Sequence, residues 1–189
     1  MSLPVLCAAA VIIRIKDAGP IFFTQDRIGF GRKRFRFYKL RTMRPEKDAL
    51  GRLLSDAERI RPWGAFLRKT SLDELPQLWL VIIGRMSLVG PRPLLIRYQP
   101  YFNEMEKTRF DVLPGITGLA QVNGRNTASW DKRLAYDIEY VRKWSFFLDI
   151  KILLKTILNV ILSRGIVVDA NEVMQDLDIE RADHRDFKI

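Results

Sequence analysis

Two alternating, aromatic-rich runs, FFTQDRI and RFRFYKL, lie on either side of a glycine-containing segment at residues 29–33. Alternation with a period of two is typical of β-strands, and a short glycine-containing link between two such runs is typical of a hairpin turn. The pattern therefore predicts a β-hairpin. Because the longer apolar runs elsewhere favour helices, we expect an α+β fold that is mainly helical with one small hairpin.

Four further segments have recognisable patterns. The apolar run 75–83 ends at Gly84 and predicts a helix or a buried segment, and residues 101–113 predict a charged helix. Residues 146–162 repeat a polar residue every four positions, at Lys151, Lys155 and Asn159, which suits either a core helix or one lying in a membrane interface. Residues 113–130, LPGITGLAQVNGRNTASW, predict a long polar and glycine-rich loop.

The charge of the chain is large and unevenly distributed. The 189 residues carry a formal net charge of +10, yet residues 169–189 hold seven acidic and three basic side chains, a net −4, which leaves +14 on the rest. A body this basic favours an anionic partner, whether nucleic acid, a phosphate-bearing small molecule or an anionic lipid surface. With 48% hydrophobic and 29% charged residues, the composition suggests neither a disordered chain nor a polytopic membrane protein.

Residues 27–44 contain eight cations and no acid, which is compatible with a nucleic-acid face or with a solvated strand face.

The apolar stretch Leu3–Ile13 is too short to span a bilayer, and as a helix it would reach about halfway. Arg14 and Lys16 follow it, where cations meet a lipid interface. The alternative is a buried N-terminal helix of a soluble domain.

The available chemistry is narrow, because the chain has one cysteine, Cys7, and one histidine, His184. A disulfide within the chain, a cage of thiolates, and serine–histidine or cysteine–histidine nucleophile pairs are therefore excluded. Acid–base work must come from carboxylates, lysine, tyrosine or bound water.

The stretch KTSLDELPQL, residues 69–78, places Asp73 and Glu74 just ahead of an apolar run. Ser71 with Glu74 three positions later matches a capping box, which would start a helix at this point. Two adjacent carboxylates could equally serve chemistry, and these ten residues by themselves leave both interpretations open.

Four motifs in order, PIFFTQDRIG, YKLRTM, LRKTSLDELPQLWLVIIGRMSLVGPRP and PGITGLAQVNGR, resemble the bacterial sugar transferases. More narrowly, the chain is similar to the small monotopic polyprenyl-phosphate phosphoglycosyl transferases, from about Pro20 to Val168. The resemblance implies transfer of a sugar 1-phosphate from a UDP-sugar to a polyprenyl (undecaprenyl) phosphate, with release of UMP, as the first membrane step of glycan assembly.

The resemblance also implies roles for seven residues. Asp73 would be the nucleophile that forms an aspartyl phosphosugar, and Glu74 its catalytic partner and the ligand of a Mg²⁺ cofactor, a hard ion that bridges phosphates. Substrate binding would fall to the polar side chains at matching motif positions: Lys39, Arg68, Arg92, Gln121 and Arg125. Phosphoryl transfer depends on neutralising charge, which gives the cations among them a purpose.

By the same resemblance we expect three parts. Residues 1–16 would be a partial, apparently truncated re-entrant membrane helix, residues 17–168 a monotopic catalytic domain with interfacial amphipathic helices, and residues 169–189 an acidic, loosely held tail. Anionic lipids of the bacterial inner membrane, on its cytoplasmic face, would be a partner. The alternatives are a catalytically impaired membrane-surface scaffold and a basic nucleic-acid-binding domain; because the latter leaves Asp73 and Glu74 without purpose, we expect no nucleic-acid partner.

Overall fold

The computed structural model of the protein describes residues 10–15, 19–52, 54–124, 128–162 and 175–182. Its helices and strands are α1 (residues 10–15), β1 (Phe22–Ile28), β2 (Arg34–Leu40), α2 (Asp56–Arg59), α3 (Pro62–Lys69), α4 (Gln77–Ile82), β3 (Ser87–Val89), α5 (Glu104–Lys107), β4 (Gly115–Thr117), α6 (Leu119–Asn123), α7 (Trp130–Lys143), α8 (Phe146–Ile161) and α9 (Leu177–Glu180). Short 3-10 helices of three residues occupy Phe30–Arg32, Leu72–Glu74 and Thr108–Phe110, and one of six residues occupies Ile96–Tyr101. The described part is mainly helical, and the predicted α+β class is confirmed.

The predicted hairpin is present. Strands β1 and β2 pair antiparallel, from Phe22 opposite Leu40 to Ile28 opposite Arg34. Gly31 in the connecting turn has φ of +61°, a left-handed conformation that glycine adopts without steric cost. Ile28 and Leu40 are buried on one face of the hairpin and Phe37 is buried on the other, because side chains an odd number of positions apart on a strand point to opposite faces. The hairpin therefore packs against the core on both faces and carries the YKLRTM motif at its end.

A second, two-stranded sheet was not predicted. Strands β3 and β4 pair parallel, with Ser87 opposite Gly115 and Val89 opposite Thr117. The backbones approach so closely that a β-carbon on Gly115 would lie 2.1 Å from the amide nitrogen of Gly90. Residues 113–130, predicted as a loop, therefore contain a strand and the helix α6, because a non-local pairing orders them. Residues 125–127 lie outside the described part.

The charged helix predicted over residues 101–113 is wrong as a continuous element. Only α5 is α-helical, and a 3-10 turn follows it. Asn103 caps α5 in a capping box, since its side chain accepts from the Glu106 amide while the Glu106 carboxylate accepts from the Asn103 amide, each at 2.9 Å. Phe102 and Phe110 at the two ends are buried in the main core, which is why the segment bends rather than continuing as one helix.

The last described segment, residues 175–182, is packed into the core, so the prediction of a loosely held tail is wrong for these residues. Leu177 is 0% exposed and lies among Tyr98, Phe102, Trp130 and other buried side chains. Arg181 is a second anchor, because it donates two 2.8 Å hydrogen bonds to the Glu106 carboxylate. The boundary predicted at residue 169 lies outside the described residues.

Helix α8 presents an apolar face to solvent. Of its own residues only Ile152 is buried, while seven large apolar side chains are exposed: Phe146, Phe147, Ile150, Leu154, Ile157, Leu158 and Ile161. Trp79, Ile82 and Ile83 are likewise exposed on and after α4. Among the helices of the described residues, none has the length and apolarity needed to cross a membrane. An exposed apolar surface of this extent is typical of an interaction site.

Candidate active site

A cavity of about 490 Å³ is lined by residues of β2 and β4, of the 3-10 turns Leu72–Glu74 and Thr108–Phe110, and of the helices α3, α4, α6, α7 and α8. This volume lies in the range of small-molecule sites. Six of the seven side chains predicted for the site line it: Lys39, Arg68, Asp73, Glu74, Arg92 and Gln121. Arg125, the seventh, lies outside the described residues. The structure therefore brings the candidates together, while the role of each stays a prediction.

Asp73 is the buried carboxylate of this cavity, and only 5% of it is exposed. Burial and the neighbouring Glu74 carboxylate raise the pKa of Asp73 from 3.8 to about 6, although nearby cations act in the opposite direction. At neutral pH the group is ionised, yet it is a stronger base than an ordinary aspartate. Such a carboxylate combines negative charge with enhanced affinity for an electrophile.

The backbone before Asp73 is not that of a capped helix. Ser71 has φ of +56°, and its side chain makes no capping bond within the described turn. The capping box predicted for Ser71 and Glu74 is therefore wrong: α4 begins only at Gln77, and the Glu74 carboxylate is directed elsewhere. A left-handed non-glycine residue costs of order 1–3 kcal/mol, and such conformations concentrate at functional sites.

Glu74 binds Arg92, the arginine of the GPRP motif. One guanidinium nitrogen, Nη2, lies 2.5 Å from Glu74 Oε1, and Nη1 lies 3.5 Å from Oε2. The Glu74 carboxylate raises the pKa of Arg92. Arg92 is itself held in place because Arg109 donates a 2.7 Å hydrogen bond to its backbone oxygen. Since 44% of the Arg92 side chain is exposed, the pair contributes little stability and can exchange for a bound anion.

Lys39 reaches the cavity from the end of β2. Its ammonium lies 5.2 Å from the centre of the Phe23 ring. Burial, with repulsion from Arg68 and Arg92, lowers the pKa of Lys39 to about 8, while Asp73 acts against this shift. The lysine therefore carries its charge at neutral pH and loses it in mildly alkaline solution.

Arg68 is placed by the packing of α3 against the chain that follows β2. A β-carbon on Gly64 of α3 would lie 2.2 Å from the Thr42 carbonyl oxygen, so only glycine permits this approach. The Arg68 Nε then donates a 2.9 Å hydrogen bond to Thr42 Oγ1, and Nη2 lies 3.1 Å from Met43 Sδ. These contacts fix the guanidinium at the cavity wall near Asp73.

Gln121 contributes a polar amide to the cavity from α6. Its Oε1 and Nε2 atoms are buried and have no hydrogen-bond partner among the described residues. A β-carbon on Gly118 would lie 2.8 Å from this Oε1 and 2.1 Å from the carbonyl oxygen of Gly90. Buried amides are normally satisfied, so Gln121 is a group that a ligand could complete.

Two further arginines line the cavity and were not identified from the sequence. Arg109 forms a buried ion pair with Asp137, with its Nη2 and Nε 2.8 and 3.1 Å from Asp137 Oδ2. Arg133 lies one helical turn before Asp137 and over the ring of Trp130. The positions 130, 133, 134 and 137 have the spacing of one helix face. The charged residues on this otherwise apolar face were the sequence feature that could have identified Arg133.

A Mg²⁺ ion, as the resemblance implies, is compatible with this donor set. Asp73 and Glu74 present two carboxylates to the cavity, and no group of three or more potential ligands occurs within the described ranges. Mg²⁺ is commonly held by one or two carboxylates together with water and substrate phosphates. The cavity therefore fits an ion that binds with a phosphate substrate rather than in an all-protein cage.

Comparison with known proteins gives a consistent result. The sequence model of the bacterial sugar transferase family matches residues 1–163. The chain is 50% identical to the uncharacterised sugar transferase EpsL of Bacillus subtilis, over 85% of this chain and 83% of that protein. It is 37% identical to the exopolysaccharide production protein ExoY of Rhizobium meliloti, over 86% of this chain and 79% of that protein.

A longer relative is also similar. The UDP-glucose:undecaprenyl-phosphate glucose-1-phosphate transferase of Xanthomonas campestris is 39% identical over 84% of this chain. The alignment covers only 35% of that protein, so this chain spans about a third of its length.

Proposed function

Because the chain belongs to the bacterial sugar transferase family, we propose that it transfers a sugar 1-phosphate from a UDP-sugar to a polyprenyl phosphate, such as undecaprenyl phosphate, and releases UMP. The family match confirms the resemblance found in the sequence and the enzyme class, a sugar-1-phosphate transferase. The observation that supports the mechanism best is Asp73, a buried, ionised carboxylate that faces a cavity together with Lys39, Arg68 and Arg92.

In the first step, a carboxylate oxygen of Asp73 attacks the β-phosphorus of the UDP-sugar. The bond from that phosphorus to the oxygen that bridges it to the α-phosphate breaks, and UMP leaves with the electron pair. The product is a mixed anhydride of Asp73 and the sugar phosphate. The raised pKa of Asp73 supports this role, because a more basic carboxylate is a better nucleophile.

In the second step, a phosphate oxygen of the polyprenyl phosphate attacks the same phosphorus. The bond to Asp73 breaks, the carboxylate is regenerated, and a polyprenyl diphosphate sugar leaves. Two steps allow the nucleotide to depart before the lipid acceptor reacts, so one cavity serves two bulky anionic substrates in turn.

The cations neutralise the phosphate oxygens during both steps. Lys39 and Arg68 lie near Asp73 and act on the phosphoryl group being transferred, since they are cations with large effects on the pKa of Asp73. Arg92 can turn from Glu74 to a phosphate oxygen, which would free the Glu74 carboxylate. Glu74 is then the residue that would hold Mg²⁺, which when bound neutralises charge on the donor diphosphate. The buried amide of Gln121 would bind the nucleotide or the sugar.

The lipid acceptor requires a site at a membrane surface. The cavity lining includes apolar side chains of α4 and α8, and the same helices expose Trp79, Ile82, Ile157 and Ile161 to solvent. We therefore propose that α8 and α4 lie in the headgroup region, as a monotopic arrangement requires, with the basic body attracted to anionic lipids. Because nucleotide sugars are cytosolic, this surface would be the cytoplasmic face of the bacterial inner membrane.

Intact mass spectrometry tests the mechanism directly. Purified protein in detergent is incubated with Mg²⁺ and a panel of UDP-sugars in the absence of acceptor, beside Asp73→Asn as the matched control. We expect a mass increase equal to one sugar phosphate on the wild type and none on Asp73→Asn. An adduct on the Asn variant would exclude Asp73 as the nucleophile, and so would a wild type that forms product once polyprenyl phosphate is added but never shows the adduct without it.

Flotation with vesicles tests the membrane surface. Vesicles that contain anionic lipid should carry the wild type, and a variant with Phe147→Ser and Ile157→Ser should float less. Equal flotation of both proteins would exclude the exposed face of α8 as the lipid-binding surface.

A further inference from the structure

Arg133 is an arginine of the cavity lining that Asp137 and Glu180 attract electrostatically, although neither forms an ion pair with it. The other three lining arginines, Arg68, Arg92 and Arg109, each donate a hydrogen bond to a side chain of the protein. Arg133, in contrast, makes no side-chain hydrogen bond or ion pair with the described residues, and its Nε is buried. Buried donors are almost always paired, so this group has unmet bonding capacity.

The position of Arg133 is nevertheless well defined. Its guanidinium carbon lies 5.3 Å from the centre of the Trp130 ring. Trp130 is itself buried, packs edge-to-face with Tyr98 at 5.3 Å, and donates a 2.9 Å hydrogen bond from Nε1 to the Gln175 carbonyl oxygen. Since the indole is anchored on two sides, it forms a rigid platform that holds the guanidinium at the cavity wall.

The nearest natural partner for Arg133 is already engaged. Asp137 lies four residues later on α7, a spacing at which helical side chains commonly pair. Both of its hydrogen bonds from side chains go to Arg109, however. Burial and repulsion from Arg92 lower the pKa of Arg133, while Asp137 and Glu180 act in the opposite direction.

We propose that Arg133 binds a phosphate group of a substrate in the cavity and is a phosphate-binding residue of the site. This inference rests on the proposed function. Lys39, Arg68 and Arg92 are the cations that act most strongly on Asp73, so Arg133 would hold a phosphate other than the one that is transferred. A guanidinium can bind two phosphate oxygens through two parallel hydrogen bonds in a fixed geometry, whereas a lysine ammonium acts as a point charge.

Such a phosphate has two sources in the reaction, the nucleotide of the donor and the phosphate of the lipid acceptor. Calorimetric titration with UMP addresses the first source, and the KM for a short-chain polyprenyl phosphate at saturating UDP-sugar addresses the second. The variants are Arg133→Gln, Arg133→Lys and Arg133→Met, the last because its unbranched side chain still packs on Trp130. Lys132→Gln, an exposed cation on the same turn, is the matched control.

We expect Arg133→Gln and Arg133→Met either to lower the affinity for UMP or to raise the KM for the acceptor, in each case by about 10- to 100-fold. This factor corresponds to the loss of a charge-assisted hydrogen bond. Arg133→Lys should recover part of the loss, and Lys132→Gln should match the wild type. A fall in UMP affinity assigns the donor nucleotide to Arg133, and a rise in acceptor KM with unchanged UMP affinity assigns the lipid phosphate.

A merely structural role would lower kcat or the melting temperature and leave both ligand affinities unchanged. Folded Arg133 variants with wild-type UMP affinity and acceptor KM would therefore overturn the inference while leaving the proposed function intact. If the wild type itself neither bound UMP nor formed the sugar-phosphate adduct, the proposed function and this inference would both be wrong.

Discussion

Replacing Asp73 by asparagine should make the protein more stable while it abolishes the adduct. Asp73 is ionised and 5% exposed, and its pKa is raised from 3.8 to about 6 by burial and by Glu74. A carboxyl group with a raised pKa is more stable protonated, so its ionised form destabilises the folded state as the pH rises above 3.8. Asparagine has the shape of the neutral acid and does not carry this penalty.

The magnitude follows from the shift. At 1.36 kcal/mol per pKa unit, a rise from 3.8 to about 6 corresponds to about 3 kcal/mol in favour of the Asn variant at pH 7.5. At pH 5 the folded carboxyl is already mostly protonated, and the advantage should be about 1.5 kcal/mol. The attraction of Lys39, Arg68 and Arg92 for the carboxylate is included in this net shift, so no further correction for their lost partner is needed.

The assay is denaturant unfolding in detergent, followed by the fluorescence of the four tryptophans, at pH 5 and pH 7.5. Asp48→Asn is the control, because hydrogen bonds from Arg52 lower the pKa of this partly exposed carboxyl, and its replacement should not stabilise the fold. The reasoning would be refuted if Asp73→Asn were less stable than the wild type at pH 7.5, or if its advantage were the same at both pH values.

Three further predictions concern pH, the C-terminal segment and the second sheet. The rate of adduct formation should rise with pH as Asp73 ionises near pH 6 and fall as Lys39 loses its proton near pH 8, which gives a bell-shaped profile. The fall at alkaline pH should disappear in Lys39→Arg. A rate that does not change with pH would exclude both assignments. Leu177→Ala should lower the free energy of unfolding by about 2–5 kcal/mol, whereas Ile179→Ala, at a position that is 60% exposed, should leave it nearly unchanged. Gly118→Ala should destabilise the fold by about 1–3 kcal/mol, because its β-carbon would lie 2.1 Å from the backbone oxygen of Gly90, the residue after β3. An unchanged melting temperature would contradict this packing.

Patterns that act over a few residues were predicted correctly. The hairpin follows from alternation and a glycine turn, both of which lie within the segment that folds. The helix α4 ends near Gly84, which has φ of +68°, because a glycine relieves the left-handed conformation there. These elements need no distant partner to be recognised.

Patterns that compete with tertiary contacts were misread. Ser71 and Glu74 have the spacing of a capping box, but Arg92 from a different segment binds the Glu74 carboxylate and the turn adopts another geometry. The acidic composition near the C-terminus suggested a loose segment, yet a single leucine, Leu177, fills a position among buried aromatic residues. In each case one long-range contact outweighed the local preference.

The sequence by itself determined the family, the class of enzyme and the candidates Asp73 and Glu74, because these depend on short motifs whose residues are adjacent in the chain. Only the tertiary structure decided which cations share a cavity with that pair, and which arginine among them forms no side-chain hydrogen bond within the described part of the chain. Arg109 forms a buried ion pair with Asp137, whereas Arg133 forms none with the residues that the structure describes, although all three are equally visible as charges in the sequence. The reason is physical: burial and pairing depend on contacts between distant segments, and they decide whether a charge is structural or available to a substrate.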